Sequence, residues 1–555
     1  MKQSPSCHVC TKIVALFRTP FEERAKVSLG ELGEFKGSKC PHSNLVRVNT
    51  GSIISEKGIK YAILRAQKDG YSNAIYISVC HANGNDLIMS VALLARESLL
   101  DHPGKGRIID PKWIDLNMIR TWYSKCITEH SSKCNEPPWM KTLERVHPEL
   151  LIDVVHSCIV PYTSEVKHYF TLSYTWGETA NLRNKKRVFR RLQRPGALAS
   201  PKFAQQIPET IRNACEITKC LGERFLWVDS LCIVQDDQKF LYRNLSKMHI
   251  IFAGSSLCLV AEAGQDAEFG LRGISGYTKP RSFSQEIINL ANGEKLCSLG
   301  RPGKLKGLPG RSYHSRAWTF QEFLFSKRLL IFGDGPVEWR CECGKRSETL
   351  GFGSFCLSSP WDPIQKVPWE VFDTCIPQLN ALSYLTDPFN KRYLTYPEDI
   401  SGAFSGIQNL LDTKYPGGFL FDHPEFFFDI SLIWSNNSDI NRRKISKAFK
   451  GDPIKDGLPS WSWMGWQGVI TFFMDLKFVN QGNIPWFLKP VTRWYTMEYP
   501  STHAERRLIQ SGWYDYKSSI QNLIGRTPEG WTRHAEEPPQ SLEQENDRFG
   551  IPYPL

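Results

Sequence analysis

Two short apolar runs flanking a helix-like segment constrain this chain most. Tyr169-Phe-Thr-Leu-Ser-Tyr-Thr-Trp-Gly-Glu178 opens the stretch, and Arg224-Phe-Leu-Trp-Val-Asp-Ser-Leu-Cys-Ile-Val-Gln235 closes it. Each run is β-prone and stops in polar or glycine residues, as a strand buried on both faces does. Between them, residues 207–222 have Pro208 near the start, apolar residues at 211, 214, 217 and 221, and Gly222 as a stop. That pattern predicts a helix. Strand, helix, strand implies parallel pairing through a right-handed crossover. Ligands in such sheets bind at the carboxyl ends of the strands. Those ends would carry Trp176, Gly177 and Glu178 on one side, and Asp229, Cys232 and Gln235 on the other.

The same alternation continues on both sides. Strands are expected at 151–155, 168–174, 257–261 and 328–332, with 336–341 as a hairpin partner of the last. Helices are expected at 237–252 and 316–325. A basic loop is expected at 183–191, and residues 274–310 read as irregular. The fold class is therefore α/β, a parallel sheet with flanking helices.

A chain of 555 residues is too long for one ordinary core. We divide it into a Cys-containing segment at 1–45, a small β-rich region and linker at 46–150 and the α/β domain at 151–340. An α+β region at 341–525 and a tail at 526–555, whose Glu, Gln and Pro content predicts disorder, complete the chain. A hydrophobic fraction of 41% and 17 Trp fit a globular protein. Lys and Arg exceed Asp and Glu by 69 − 57 = 12. Spread over this length, that excess is weak support for a nucleic-acid-binding regulator. The basic run at 183–194 reads as a solvated loop or as a place for pyrophosphate. The N-terminus lacks the apolar core of a signal peptide, and no run approaches the roughly 20 apolar residues of a membrane helix. The expected setting is cytoplasmic, with the 16 Cys mostly reduced. Cys7-His-Val-Cys10 followed by Cys40-Pro-His42 can supply four ligands to a structural zinc. Free thiols in an unmetallated segment are the alternative.

Several motifs in fixed order resemble the fungal heterokaryon-incompatibility (HET) domain family. They are Leu172-Ser-Tyr-Thr-Trp-Gly177, Leu226-Trp-Val-Asp-Ser-Leu-Cys-Ile-Val-Gln-Asp236, Met248 with Phe252 and Val260-Ala261, and Arg316-Ala-Trp-Thr-Phe-Gln-Glu322. The segments Tyr396–Gly406 and Pro459–Trp466, and the N-terminal Cys pattern, are similar to the flanking parts of large HET proteins. The resemblance implies non-self recognition in fungi, with the domain triggering programmed cell death through self-association and protein partners of incompatibility signalling. It also implies a divergent Toll/interleukin-receptor (TIR) fold, a flavodoxin-like sheet. Some TIR domains cleave the glycosidic bond of NAD with a Glu, so NAD is a substrate by analogy.

That chemistry needs a carboxylate near the ribose, an aromatic wall and a cradle for phosphates. The candidate carboxylates are Glu322, Asp229 and Glu178. Tyr174, Trp176, Gly177, Gln235, Arg316 and Trp318 are the candidate walls and contacts. Each carboxylate also has an ordinary reading: Glu178 as a loop charge, Asp229 as a turn cap, and Glu322 as an ion-pair partner. Where family members commonly carry a Glu, this chain has Asn244. An amide cannot supply negative charge: if that Glu is the counterpart of the TIR catalytic Glu, this copy is impaired or inactive, and if Glu322 does the work, the departure is harmless.

Overall fold

The computed structural model describes residues 7–20, 25–47, 63–68, 74–81, 84–96, 101–177, 181–299, 313–350, 379–436, 439–444, 458–472, 492–496 and 506–514. Helix α1 (His8–Arg18) buries Cys10, Ile13, Val14, Leu16 and Phe17. It lies on β1 (Lys26–Glu31) and β2 (Ile63–Lys68), which continue antiparallel through β3 (Ile75–His81) and β4 (Gly84–Leu93). This body has its own core, with Ile13, Phe17, Leu64, Ile77 and Met89 among its members. Helix α2 (Leu116–Thr128) starts where the Asp115 carboxylate accepts hydrogen bonds from the Asn117 and Met118 amides, a conventional N-cap. It buries Met118, Ile119, Trp122 and Cys126, a single helical stripe, and a short α3 (Ser131–Asn135) follows.

The larger body begins with the hairpin β5 (Leu150–Asp153) and β6 (Cys158–Pro161). Next come β7 (Phe170–Ser173), α4 (Lys186–Leu192), α5 (Glu209–Cys220) and β8 (Phe225–Trp227). Helix α5 ends as the sequence requires. The Gly222 amide bonds the Lys219 carbonyl and the Glu223 amide bonds that of Thr218, a Schellman closure. Then follow α6 (Asp229–Cys232), α7 (Gln238–Leu245), α8 (Met248–Gly254) and β9 (Leu257–Ala261). After β10 (Ile287–Asn289) and β11 (Lys295–Ser298) come α9 (Ala317–Phe325), β12 (Arg328–Phe332), β13 (Glu338–Cys341) and β14 (Gly344–Ser347). Helices α10 (Ser383–Asn390) and α11 (Ile400–Asp412) lead into the C-terminal part.

The main sheet runs β14-β13-β12-β9-β7-β8-β5-β6. Its centre is parallel: Phe170 pairs with Leu226 of β8 and Leu257 of β9, and Leu329 with Cys258. Among these four strands the order is second, first, third, fourth, so the connection reverses between β7 and β9. Strands β7, β9 and β12 are buried along their whole length, which is why they read as mainly apolar runs.

Four expectations need correction. The sheet is mixed, because antiparallel hairpins β5–β6 and β13–β14 extend both edges of the parallel centre. The basic run is partly helical: Lys and Arg are good helix formers, and Leu192 is buried with Val188 and Phe189 packed on the core. The helix expected at 237–252 is two, broken at Ser246 and Lys247 after a polar run, so that Met248, Ile251 and Phe252 can face the core independently. The stretch expected to be irregular contains β10 and β11, and Leu296 of β11 pairs with Leu93 to complete the six-stranded N-terminal sheet. Strands of three or four residues carry too little periodicity to be read locally.

The main core runs without interruption from Ile114 on the N-terminal side to Trp513. The α/β domain and the C-terminal part thus bury one continuous set of side chains. No described helix is long and apolar enough to cross a membrane.

Candidate functional site

The reversal between β7 and β9 leaves the carboxyl ends of the central strands as the natural crevice. Strand β7 ends there in Ser173, Tyr174, Thr175 and Trp176. Ser173 Oγ donates to the Glu322 carboxylate on α9 and lies 2.7 Å from the Tyr313 hydroxyl. Tyr174 Oη donates to Ser230 Oγ at 3.0 Å, while its carbonyl accepts from Arg316 Nη1 at 3.0 Å. Trp176 Nε1 donates to Asp229 Oδ2 at 2.8 Å, and Arg183 stacks its guanidinium 5.0 Å from the Trp176 ring. The other Asp229 oxygen accepts the Ser230 amide at 2.6 Å. Asp229 therefore combines the turn-capping role with a place in this cluster.

Gly177 leaves the strand at φ +72°, and a Cβ there would lie 2.3 Å from the Asp266 Cβ. Both the backbone conformation and the close approach require glycine. The fold thus brings together Tyr174, Trp176, Gly177, Asp229, Arg316 and Glu322 from three separate stretches of sequence. Gln235 serves the backbone: its amide donates to the carbonyls of Asp229 and Ile233 at 3.0 and 3.2 Å. Trp318 lies over Gly402 of α11. Glu178 lies outside the described residues. Asn244 donates to Glu149 at 3.3 Å and to the Phe240 carbonyl at 2.8 Å. Its described hydrogen bonds do not reach Asp229 or Glu322.

Burial, then the charge of Asp229, pushes Glu322 up to about 8. Burial likewise pushes Asp229 up to about 6, with the Ser230 amide, Arg316 and Trp176 opposing it. Both carboxyls are thus pushed up, Glu322 further than Asp229. Two carboxyl groups shifted to different degrees by their surroundings are the raw material of acid–base chemistry.

Several contributors escaped the sequence reading. Ser173 lies within the 172–177 motif but was not singled out, and Tyr313 carries no motif of its own. Arg392, from the C-terminal part, donates to the Arg316 carbonyl and to Thr319 Oγ1, both at 3.2 Å, and its charge bears on Glu322. Glu262, just past β9, is paired at 2.7 Å with His314. Burial would raise Glu262, but the His314 hydrogen bond and charge outweigh it and lower it. The one available signal was Glu262 following the apolar run of β9, the same pattern that singled out Asp229.

Against this geometry, the family model described as heterokaryon incompatibility protein (HET) matches residues 169–322. Residues 169–322 form a HET domain. The match opens one residue before β7 and closes on Glu322, so its two ends meet in the Ser173–Glu322 hydrogen bond. The HET domain implies a role related to heterokaryon incompatibility. No curated protein and no solved structure matches the chain.

Outside the HET match, the N-terminal candidates Cys7, Cys10, Cys40 and His42 converge. Their ligand atoms all lie within 4.8 Å of one another. Cys7 Sγ is 3.3 Å and Cys10 Sγ 3.7 Å from His42 Nδ1, and Cys10 Sγ is 3.5 Å from Cys40 Sγ. A tetrahedral zinc with bonds of about 2.0–2.3 Å needs ligand separations of roughly 3.4–3.8 Å. The donors fit a Cys3His zinc site in which His42 takes the place that Ser43 cannot. Bound there, zinc would tie α1 to the turn at 40–42 and act structurally.

Proposed function

We propose that this protein acts in fungal non-self recognition, its HET domain triggering programmed cell death by self-association with partners of incompatibility signalling. The observation that carries this reading is the state of Glu322. It is buried, raised by that burial and by the Asp229 charge, and engaged by Ser173, so we read it as part of the packed core of a signalling module. A carboxyl group without charge does not stabilise an oxocarbenium ion. Asn244 at a commonly acidic position agrees with this reading. The test is inducible expression in a fungal cell, with light scattering of the purified chain. Growth arrest and concentration-dependent assembly are expected; normal growth at good expression would sink the proposal.

One observation favours a second reading, an NAD-cleaving hydrolase on a TIR-like fold. Asp229, raised less by burial than Glu322, stands at a strand end beside Trp176 and Arg316. The purified protein incubated with NAD would then release nicotinamide, and Asp229→Asn would abolish the release. No release at high protein concentration excludes the enzyme. Release lost in Glu322→Ala but kept in Asp229→Asn moves the catalytic charge to Glu322.

A further inference from the structure

A second constellation of thiols and imidazole lies apart from both the carboxylate cluster and the N-terminal cysteines. Helix α2 carries Cys126 in its last turn, His130 follows four residues later, and Cys134 sits on α3. Strand β13 of the edge hairpin brings up Cys341, more than two hundred residues away in sequence. The ligand atoms of these four residues all lie within 4.8 Å of one another. His130 Nδ1 is 3.6 Å from Cys134 Sγ and 3.5 Å from Cys341 Sγ. None of these cysteines is in a disulfide, and all three are buried. The spacings match the edges of a zinc-centred tetrahedron, roughly 3.4–3.8 Å.

Buried thiols alone often act as small apolar side chains. The company here is not apolar. Arg328 of β12 is 2% exposed and donates from Nε to Cys126 Sγ at 3.1 Å. Its other hydrogen bonds go to the Ser256 carbonyl and the Asn135 side chain, both uncharged acceptors. A buried guanidinium is costly unless negative charge compensates it. A zinc ion bound by three thiolates and one neutral imidazole has a net charge of −1, and Arg328 would neutralise it.

We propose that Cys126, His130, Cys134 and Cys341 bind a structural zinc ion. Four protein ligands close the coordination sphere and leave no open position for chemistry. The ion pins α2 and α3 to the β13–β14 hairpin and so fixes one edge of the main sheet. Cys343, whose Sγ is 3.6 Å from that of Cys134, flanks the site rather than completing it.

The test uses the full chain carrying Cys7→Ser and Cys10→Ser, so that metal at the N-terminal cluster is not counted. Elemental analysis should find one equivalent of zinc. Adding Cys126→Ser and Cys134→Ser should remove it, and Cys343→Ser should not. Absence of zinc from the first protein, even after incubation with zinc and desalting, overturns the proposal. So does zinc that survives loss of Cys126 and Cys134. Should the combined variant fail to fold, the protein carrying only Cys7→Ser and Cys10→Ser, treated with a mercurial thiol reagent, supplies the answer. One equivalent released to a colorimetric chelator supports the second site, and none overturns it.

Discussion

Ser173 Oγ and the Glu322 carboxylate, 149 residues apart in sequence, share a buried hydrogen bond that closes the HET domain on itself. Its electrostatic setting makes stability depend on pH. Glu322 is raised from an ordinary 4.5 to about 8. Below 4.5 both folded and unfolded chains hold the proton. Between 4.5 and 8 the unfolded chain releases it while the folded chain retains it. Stability should therefore fall with rising pH across that window, by up to about 1.4 kcal/mol per pH unit, and level off above it. Glu322→Gln keeps a hydrogen-bonding partner for Ser173 and cannot ionise. Its Tm should match wild type in acid and exceed it progressively as pH rises. Parallel Tm–pH curves for the two proteins would refute the assignment.

Helix α11 is keyed to the HET domain through Gly406. Its amide donates to Gln321 Oε1 at 2.9 Å, and a Cβ there would lie 2.4 Å from both Gln321 Oε1 and His249 Cβ. Gly406→Ala should force the helices apart and cost about 1–3 kcal/mol. Faster proteolysis within residues 400–412 and a lower Tm are the readouts. Gly402→Ala, where a Cβ would meet Trp318 at an ordinary 3.4 Å, is the control. It should be neutral or stabilising by less than about 1 kcal/mol, since Ala favours helix over Gly.

Arg281 and Glu348 form a buried bidentate pair, at 2.5 Å and 2.8 Å, with side chains only 7% and 4% exposed. Arg281 also donates to the Asp110 carbonyl at 2.6 Å, joining the linker to the sheet edge. Glu348→Ala would leave a buried guanidinium unpaired and should cost roughly 3–5 kcal/mol. Denaturant unfolding measures this, and a loss below about 1 kcal/mol would show that water compensates the charge.

The N-terminal cluster makes its own claim on metal. Replacing Cys7 and Cys10 by Ser should lower the zinc content of the full chain by one equivalent and lower the Tm. His42→Ala should weaken retention of that equivalent against a chelator. Unchanged zinc content in the double variant would mean that these four residues bind no metal in solution.

The parallel centre of the sheet was legible because β7, β8 and β9 are short apolar runs with clear stops, and because α5 carries its own start, stripe and closure. The edge hairpins and the pair β10–β11 were not. Their pairing depends on partners such as Leu93, just over two hundred residues upstream of Leu296. The candidate site was legible to the same degree. Trp176, Asp229 and Glu322 stood out because polar residues end apolar runs or interrupt an aromatic helix.

By itself, then, the sequence determined the crossover unit and the HET motifs within residues 169–322, and it singled out the N-terminal Cys and His residues, all of which rest on local spacing. The tertiary structure alone decided which residues share a site. Ser173 reaches Glu322 and Tyr313 reaches Ser173, and Cys341 comes up to Cys126, only because strand order brings distant segments to the same place. The upward shift of Glu322 was decided there too, since burial and a neighbouring carboxylate have no signature in local sequence.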